Sequence, residues 1–471
     1  VQNCLSLGLT VIATDSSKTT VGRVVGFKDD APLSDNLARA DMKVYQKSTE
    51  AVTPITGAAD GIHGLDVAVD NTVPLTDVFS SWDSNVWTVL TGNLVPDCDL
   101  PTLVSNAQAP APTLPREAPA VTSYGIWVGG TQVTPENSAN VLGDGKVSYN
   151  AASHTLSLNS AAITGTHKGA GIYVEGSTDF TIALTGDNVV GNNADAALNC
   201  GVRCLNNQLL IKGAGKLTVY LKRAQDGGGV SGVSANKGLT LNGATLKIIN
   251  KDTTLEPEAS YVGLQADEGI TLSGANLTLT NLMTGINAAG GDIAIDQRST
   301  LTARTGDSAI NGKNVLISDS KVDVESTLTD KNAIIALLHI IVNGDADVKA
   351  VSDSPALYAA HAADFPDVPD YTKNCITISG GTVSAISNYD AAIYTPGTIS
   401  ISGDTTKVTA KGYYAGLQGN GGIAISGGTV NAASTHDCGI FTPAALAISG
   451  DDTKVTAKGY YAGLRSNAGV T

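Results

Sequence analysis

The 471-residue sequence contains few aromatic and few charged residues. It holds five phenylalanines, three tryptophans and two methionines, and charged residues make up only 15% of it. Because 42% of the residues are apolar, the composition excludes a disordered chain, which could not bury so much apolar surface. Together with 52 glycines, it is typical of many short strands joined by tight turns.

Basic residues and long apolar runs are also scarce. The chain has 29 Lys and Arg against 44 Asp and Glu, a net charge of −15 that would repel nucleic acid and anionic membranes. Its longest apolar run, residues 333–342, contains His339 and is well short of the roughly 20 residues that a membrane-spanning helix needs. We therefore expect no nucleic-acid partner and no membrane insertion by this chain. No signal peptide opens the sequence, and its two ends fall within motifs, so we expect it to be part of a longer protein.

The cysteines give no metal-binding pattern. There are six: Cys4, Cys98, Cys200, Cys204, Cys375 and Cys438. Their spacing matches no zinc site, and a C-x₃-C pair such as Cys200 and Cys204 could close a small disulfide loop without establishing one. Cys375 replaces an apolar residue at the start of a predicted strand, so we expect a thiol buried in the core.

What the sequence has in abundance is internal repetition. ISGGTV begins at Ile378 and again at Ile425, and KVTAKGYYAGL begins at Lys407 and again at Lys454, so both recur after 47 residues. The 47 residues split into two halves with one skeleton: apolar-x-apolar, Ser-Gly, an alternating run centred on Val, then Ala or Gly before Ile or Leu. Looser copies extend back to about residue 153.

Each half-unit contains about three runs with the period of two that strands have, and none sustains a helical period. Coils of three short strands stack as a parallel β-helix, in which each strand pairs with its copy one coil away. We therefore predict an all-β fold over 153–471, a right-handed parallel β-helix (β-solenoid) with coils of about 23–24 residues. Its core would be inward columns that include Val383, Ile393, Val408 and Leu417.

Residues 1–105 differ in sequence pattern from the repeats that follow, and we predict a smaller β-rich domain there. VQNCLSLGLTV, VGRVVGF and LSDNLARADMKV, followed by WDSNVWT and LPTL, resemble the GLUG-type repeats of bacterial surface proteins, which occur in adhesins and immunoglobulin-A peptidases. We expect Trp82 and Trp87 to be core or cap residues of this domain. Residues 106–123, rich in Pro and Ala, are predicted to form an extended linker, and 124–152 hairpins that cap the first coil.

The ISGGTV motif and the Asp-x-x-Ile step at residues 390–393 resemble the carbohydrate-binding β-helix family of clostridial and other Firmicutes surface proteins. The resemblance implies a secreted or cell-surface protein that looks like a polysaccharide lyase without lyase chemistry. Calcium, held by aspartates, is the one cofactor that it implies. The family usually has Asp-Gly-Ile at this step, and here that glycine is mostly replaced.

The residues themselves indicate no active site, and we expect no enzyme activity. A polysaccharide lyase needs a basic side chain beside calcium-holding carboxylates, and a hydrolase needs a close carboxylate pair in a cleft. The sequence has no Asp-Asp pair with a flanking Gly-His-Gly and no Arg-x-Pro-x-x-Arg run. Asp451 and Asp452 stand in a repeat whose twin has Asp404 and Thr405, which indicates turn residues.

One edge of the predicted solenoid carries candidate binding residues. Aligning the coils on the Ala/Gly-Ile/Leu step places one column at Asp307, Asp390, Tyr414, Asp437 and Tyr461. The preceding column reads Tyr389, Tyr413, His436 and Tyr460. Aromatic faces stack on sugar rings, and carboxylates accept hydroxyl groups or hold calcium. The five tyrosines are therefore candidate carbohydrate ligands, and Asp307, Asp390 and Asp437 candidate metal ligands.

These columns leave two functions open. The first is an extracellular, adhesin-like module that binds a polysaccharide or host-surface glycan, because like residues recur every second coil, roughly 9.5 Å apart, about the length of a disaccharide. The second is a passive stalk or fibre-forming spacer with self-association, in which stacked tyrosines only stabilise the turns. The near-identical 47-residue units favour a spacer, and the Tyr/Asp columns favour binding.

Overall fold

In the computed structural model of the chain, regular structure is almost entirely β-strand. The structure describes residues 4–8, 10–12, 21–24, 32–46, 50–51, 57–58, 60–88, 91–106, 113, 123–176, 178–191, 197–223, 229–252, 260–359 and 375–471. The chain divides into two units, Val1–Val121 and Thr122–Thr471. Among the described residues, no helix is long and apolar enough to cross a membrane.

Three parallel sheets form the second unit, and each coil contributes one strand to each sheet. The strands of sheet A are Ala170–Val174, Cys200–Cys204, Val230–Ala235, Tyr261–Ala266, Thr284–Ala288, Ile310–Ser318, Ile334–Asn343, Leu357–Ala359, Ile393–Thr395, Ala415–Gly419, Cys438–Thr442 and Ala462–Ser466. Those of sheet B are Thr155–Asn159, Phe180–Thr185, Leu209–Lys212, Gly238–Asn242, Gly269–Ser273, Asp292–Asp296, Cys375–Ile378, Thr398–Ile401, Gly422–Ile425 and Leu446–Ile448. Two long strands, Ile310–Ser318 and Ile334–Asn343, pair in both sheets.

Sheet C has 12 strands, and it precedes the turn that leads into sheet A. Its strands are Ala162–Ile163, Asp187–Val190, Lys216–Leu221, Thr245–Asn250, Asn276–Leu282, Thr300–Thr305, Lys321–Ser326, Asp347–Ser352, Thr382–Ser387, Lys407–Gly412, Thr429–Ser434 and Lys454–Lys458. The prediction of an all-β parallel solenoid, preceded by a smaller β-rich region, is confirmed.

Coil length changes along the solenoid. Ile378 pairs with Ile401 and Ile401 with Ile425, so these coils take 23 and 24 residues as predicted. Leu241, by contrast, pairs with Leu272, so that coil takes 31 residues. The strands stay in register because the additional residues lie between them rather than within them.

The core follows from strict alternation along each strand. In Lys321–Ser326, Val322 and Val324 are buried, while Lys321, Asp323 and Glu325 point outward. Because the coils stack in register, the same alternation of inward and outward side chains recurs from coil to coil, and one continuous apolar core runs through the solenoid. The predicted core residues Val383, Ile393, Val408 and Leu417 are all fully buried. Burial of such side chains contributes about 1.5–3 kcal/mol each.

The double glycine of ISGGTV has a steric cause. Gly381 and Gly428, the second glycine of each copy, have positive φ angles of 71° and 75°. A Cβ atom on Gly381 would lie 2.1 Å from the carbonyl oxygen of Ala346, and one on Gly428 would lie 2.4 Å from that of Thr406. Only glycine satisfies both the backbone conformation and the close approach of the preceding coil.

Antiparallel strands cover the start of the solenoid. Ile126–Val128 pairs with the first strand of sheet A and with Thr131–Gln132, and Val147–Asn150 pairs with the first strand of sheet B. These pairings occupy backbone groups that would otherwise form an open parallel edge.

The first unit also contains short stacked strands. Leu5–Ser6, Leu37–Arg39 and Leu65–Val67 form one parallel sheet, and Thr10–Ile12, Lys43–Gln46 and Glu50–Ala51 form another sheet, with a short helix at Leu75–Val78 and a 3₁₀ turn at Val104–Asn106. A buried guanidinium, that of Arg23, joins the strand layers by donating to the carbonyl oxygens of His63 and Arg39, each at 3.0 Å, and by pairing with Asp66.

The possible Cys200–Cys204 disulfide is absent, and the expectation that Cys375 is buried in the core is wrong. Cys200 and Cys204 are free thiols at opposite ends of one extended strand, about 13 Å apart at the usual rise per residue, whereas a disulfide needs Cα atoms within about 7 Å. Cys375 is only partly buried, because Ile376 and Ile378 take the inward positions of its strand. A shift of one residue reverses the face of a strand side chain.

The inward columns make a stability prediction. Val408→Asp should lower the free energy of unfolding by at least about 3 kcal/mol, because it buries an unpaired carboxylate. Thr409→Asp, at the neighbouring outward position, is the matched control and should change stability by less than about 1 kcal/mol. Thermal and denaturant unfolding measure both, and equal effects of the two substitutions would contradict the assigned alternation.

Candidate functional site

The candidate site lies in the turns that join sheet C to sheet A in the last four coils. We call it the tyrosine edge and define it by these residues: Tyr389, Asp390, Tyr413, Tyr414, His436, Asp437, Tyr460 and Tyr461. Backbone hydrogen bonds stack these turns on each other: the amide of Tyr413 donates to the Asp390 carbonyl at 2.8 Å, and that of His436 to the Tyr413 carbonyl at 2.9 Å. The predicted residues of the last four coils are therefore brought together.

A serine at the end of the sheet C strand organises the turns that carry aspartate. Ser434 Oγ donates to the carbonyl oxygen of Tyr413 in the preceding coil at 2.7 Å and accepts the amide of Asp437 at 2.9 Å. Ser387 Oγ makes the same pair of contacts, with the Asp353 carbonyl at 2.9 Å and the Asp390 amide at 3.0 Å. The sequence analysis did not single out these serines, although both stand three residues before the aspartate.

Four of the five tyrosines present their rings to solvent. Tyr389 and Tyr414, which have further coils stacked on theirs, are 61% and 53% exposed. Tyr460 and Tyr461 are each 75% exposed, but they lie in the last coil, on which no further coil is stacked. Side chains turned outward at these fractions are available for contact with a ligand. Tyr460 and Tyr461 meet edge to face, with ring centroids 5.0 Å apart.

Tyr413 differs from the other four because its ring is covered by neighbours. The His436 ring lies 3.5 Å from it and nearly parallel, and the Tyr414 ring meets it edge-on at 4.9 Å. Tyr389 packs against it from the preceding coil at 6.5 Å. Tyr413 is therefore placed to support the other rings rather than to offer a free face.

Asp307 does not join the other two aspartates. Counted along sheet A, its column continues through Lys331 and Ser354 before it reaches Asp390, three coils away. Its Oδ2 atom lies 3.2 Å from Lys331 Nζ, so a lysine neutralises the carboxylate. The sequence alignment omitted two coils because they lack the Tyr/Asp signature.

Asp390 and Asp437 are engaged locally. Asp390 Oδ1 accepts the amide of Ala391 at 2.7 Å, and Asp437 Oδ1 accepts the thiol of Cys438 at 3.1 Å. Burial raises the pKa of Cys438 to about 11, so this thiol keeps its proton at neutral pH. The two carboxylates are two coils apart, and the described residues contain no group of three His, Cys, Asp or Glu side chains that could hold a metal ion.

A second aromatic column, on the outer face of sheet A, was missed by the sequence analysis. Its members in the last five coils are Tyr358, Tyr394, Gln418, Phe441 and Arg465. Tyr358 and Tyr394 stack nearly parallel at 5.5 Å, and the Arg465 guanidinium lies 5.3 Å from the centre of the Phe441 ring. From Tyr394 onward, each member stands five residues after the tyrosine-edge residue of the same coil. This constant spacing is present in the sequence and could have identified the column. Because the stacked rings cover one another, this column reinforces the sheet.

In the first unit, Trp82 and Trp87 are half-buried and pack on each other with ring centroids 4.6 Å apart. Phe79 meets Trp82 edge to face at 4.8 Å. The three rings line a surface cavity of about 270 Å³ together with Thr76 and neighbouring residues. Mutual packing of this kind is what core or cap residues show.

No protein-family model, no curated protein and no solved structure matches the chain. The resemblances to GLUG-type repeats and to clostridial carbohydrate-binding β-helices therefore remain predictions from the sequence.

The serine contacts predict how the tyrosine edge is held. Ser387→Ala removes the partner of the Asp390 amide and of the Asp353 carbonyl and should cost about 1–3 kcal/mol. Hydrogen exchange of residues 388–392 should become faster. Ser384→Ala, on the outer face of the same strand, is the control and should leave that exchange unchanged. An unchanged exchange rate in Ser387→Ala would contradict the assigned role.

Proposed function

We propose that the chain is a non-catalytic carbohydrate-binding module of an extracellular bacterial surface protein, and that an extended polysaccharide binds along the tyrosine edge. The observation that carries the proposal is the outward orientation of Tyr389 and Tyr414, which are more than half exposed although further coils stack on theirs. Only 5% of the whole chain is aromatic, so a cluster of exposed rings on one edge indicates an interaction surface.

The chemistry of the edge suits a neutral sugar polymer. Phenol rings offer apolar faces to the C–H surface of a pyranose, and the hydroxyl groups of the rings exchange hydrogen bonds with its hydroxyls. Asp390 and Asp437 add carboxylate acceptors between tyrosine rungs. With a net charge of −15, the chain would repel a polyanionic glycan, so an uncharged polysaccharide is favoured.

Affinity in this proposal comes from repetition. An exposed stacking contact contributes on the order of 1 kcal/mol, too little for stable binding by one residue. Coils are spaced by about 4.8 Å and like groups recur every second coil, so a polymer with a matching repeat would contact several coils at once. Binding should therefore increase steeply with oligosaccharide length.

The passive stalk is the second candidate, and the stacking of Tyr413 on His436 is the observation that favours it. Rings that pack on one another stabilise successive turns without any ligand. Under this alternative, the exposed tyrosines would contribute to coil stacking or to self-association.

The two candidates differ in a binding measurement. Tyr414→Ala combined with Tyr461→Ala removes two exposed rings and should weaken polysaccharide binding about tenfold or more, with the fold unchanged. A glycan array identifies the ligand, with and without calcium, and calorimetry on the best ligand measures the loss.

Tyr220→Ala is the matched control, because Tyr220 lies in a sheet C strand far from the tyrosine edge. It should leave the affinity unchanged. Binding that is equal in the double variant and the unsubstituted protein, or no glycan bound at millimolar concentration, would favour the stalk.

A further inference from the structure

A column of polar side chains crosses the outer face of sheet B and is separate from the tyrosine edge. Its successive members are Asp292, Asn314, His339, Cys375 and Thr398, one from each coil. Asn314 Nδ2 donates to Asp292 Oδ1 at 2.8 Å, which links the first two coils of the column. Nothing in the proposed carbohydrate binding uses these residues.

The third and fourth members form a thiol–imidazole pair. His339 Nδ1 lies 3.1 Å from Cys375 Sγ, within hydrogen-bond distance for sulfur. Burial lowers the pKa of His339, so the imidazole is neutral at neutral pH and Nδ1 can accept the thiol proton. A nucleophile beside a base at this distance is the arrangement that activates cysteine.

The bond to sulfur fixes which nitrogen of the neutral His339 ring carries the proton. With Nδ1 accepting from the thiol, the proton of the neutral ring is on Nε2, which then needs an acceptor. Asn314 Oδ1, in the adjacent coil, is buried and has no hydrogen-bond partner.

Among the described residues, the neighbours of Cys375 on the side away from His339 are small. The next member of the column is Thr398, an exposed and short side chain, and the position after it is Gly422. Thr377 Oγ1, on the same face, lies 3.8 Å from Cys375 Sγ and can donate to a thiolate.

The other cysteines of the solenoid lack these features. Burial raises the pKa of Cys200 to about 11 and that of Cys204 to about 12, and the protonated thiol of Cys438 donates a hydrogen bond to Asp437. These three thiols stay protonated and enclosed at neutral pH, so their reaction with reagents in solution should be slow.

We propose that Cys375 and His339 form a thiol–disulfide exchange site that attaches a small disulfide-bearing molecule to the outer face of sheet B. His339 Nδ1 takes the proton of the thiol, and the Cys375 thiolate attacks one sulfur of the incoming disulfide. The new S–S bond forms as the original S–S bond breaks, and the leaving thiolate takes the proton from the imidazolium. Cys375 is oxidised to a mixed disulfide while one half of the incoming disulfide is reduced to a thiol, so the exchange needs no further oxidant.

Peptide mapping by mass spectrometry after timed exposure of the full chain to hydroxyethyl disulfide, a small neutral disulfide, tests this site. Cys375 should form the mixed disulfide about tenfold faster than Cys200, Cys204 or Cys438. His339→Ala should slow the reaction at Cys375 about threefold or more, and added imidazole should restore the rate in that variant.

Imidazole rescue separates a proton-transfer role from a structural one, because a misfolded sheet would not recover. His154→Ala, a histidine near the start of the solenoid, is the control and should leave the Cys375 rate unchanged. A Cys375 rate no faster than that of the three buried thiols, or a rate insensitive to His339→Ala, overturns the proposal. Carbohydrate binding by the tyrosine edge is measured separately and does not depend on this outcome.

Discussion

Parallel, in-register pairing between successive coils is the constraint on which the solenoid depends. Each strand hydrogen-bonds to its copy one coil away, so a residue lies beside its counterpart at the strand spacing of about 4.8 Å. Val383, Val408 and Val430 form one such inward series. The same pairing that keeps an apolar column inward keeps every neighbouring column outward, because a shift of one residue would reverse both.

The same pairing also places the outward-facing residues of the tyrosine edge and of the thiol–imidazole pair. Backbone bonds through the turns bring Tyr389, Tyr413, His436 and Tyr460 to one edge, although they are far apart in sequence. The pairing of sheet B places His339 against Cys375 across 36 residues. In a solenoid, residues that repeat in the sequence thus form a column of like side chains. A substitution in one coil of such a column can create a local site.

Much of this architecture could be predicted from the 47-residue repeat, because the period of the motifs fixes the coil and the alternation fixes the inward faces. The prediction was less complete where coils diverge. Asp307 was aligned with Asp390 by a local motif, but the pairing of sheet A places Lys331 and Ser354 between them. The coil that ends in Leu272 takes 31 residues, since long turns are tolerated outside the paired strands.

Side-chain direction was the other source of error. Cys375 stands beside two isoleucines, and only the register of the strand shows that Ile376 and Ile378 take the inward places. The aromatic column of sheet A escaped notice because its members include Gln418 and Arg465, which break the residue pattern while keeping the position. Residue type alone therefore does not show which residues belong to a column. Membership is shown by the residue with which each one pairs in the neighbouring coils.

Dipolar electron paramagnetic resonance between spin labels on the outer face of sheet C tests the in-register stacking most directly. Lys349 and Thr456 are four coils apart in one column, and Lys247 and Thr456 are eight coils apart. Stacking at the strand spacing predicts narrow distance distributions centred near about 19 Å and about 38 Å. Broad distributions, or distances that do not double when the number of coils doubles, would contradict a continuous parallel solenoid.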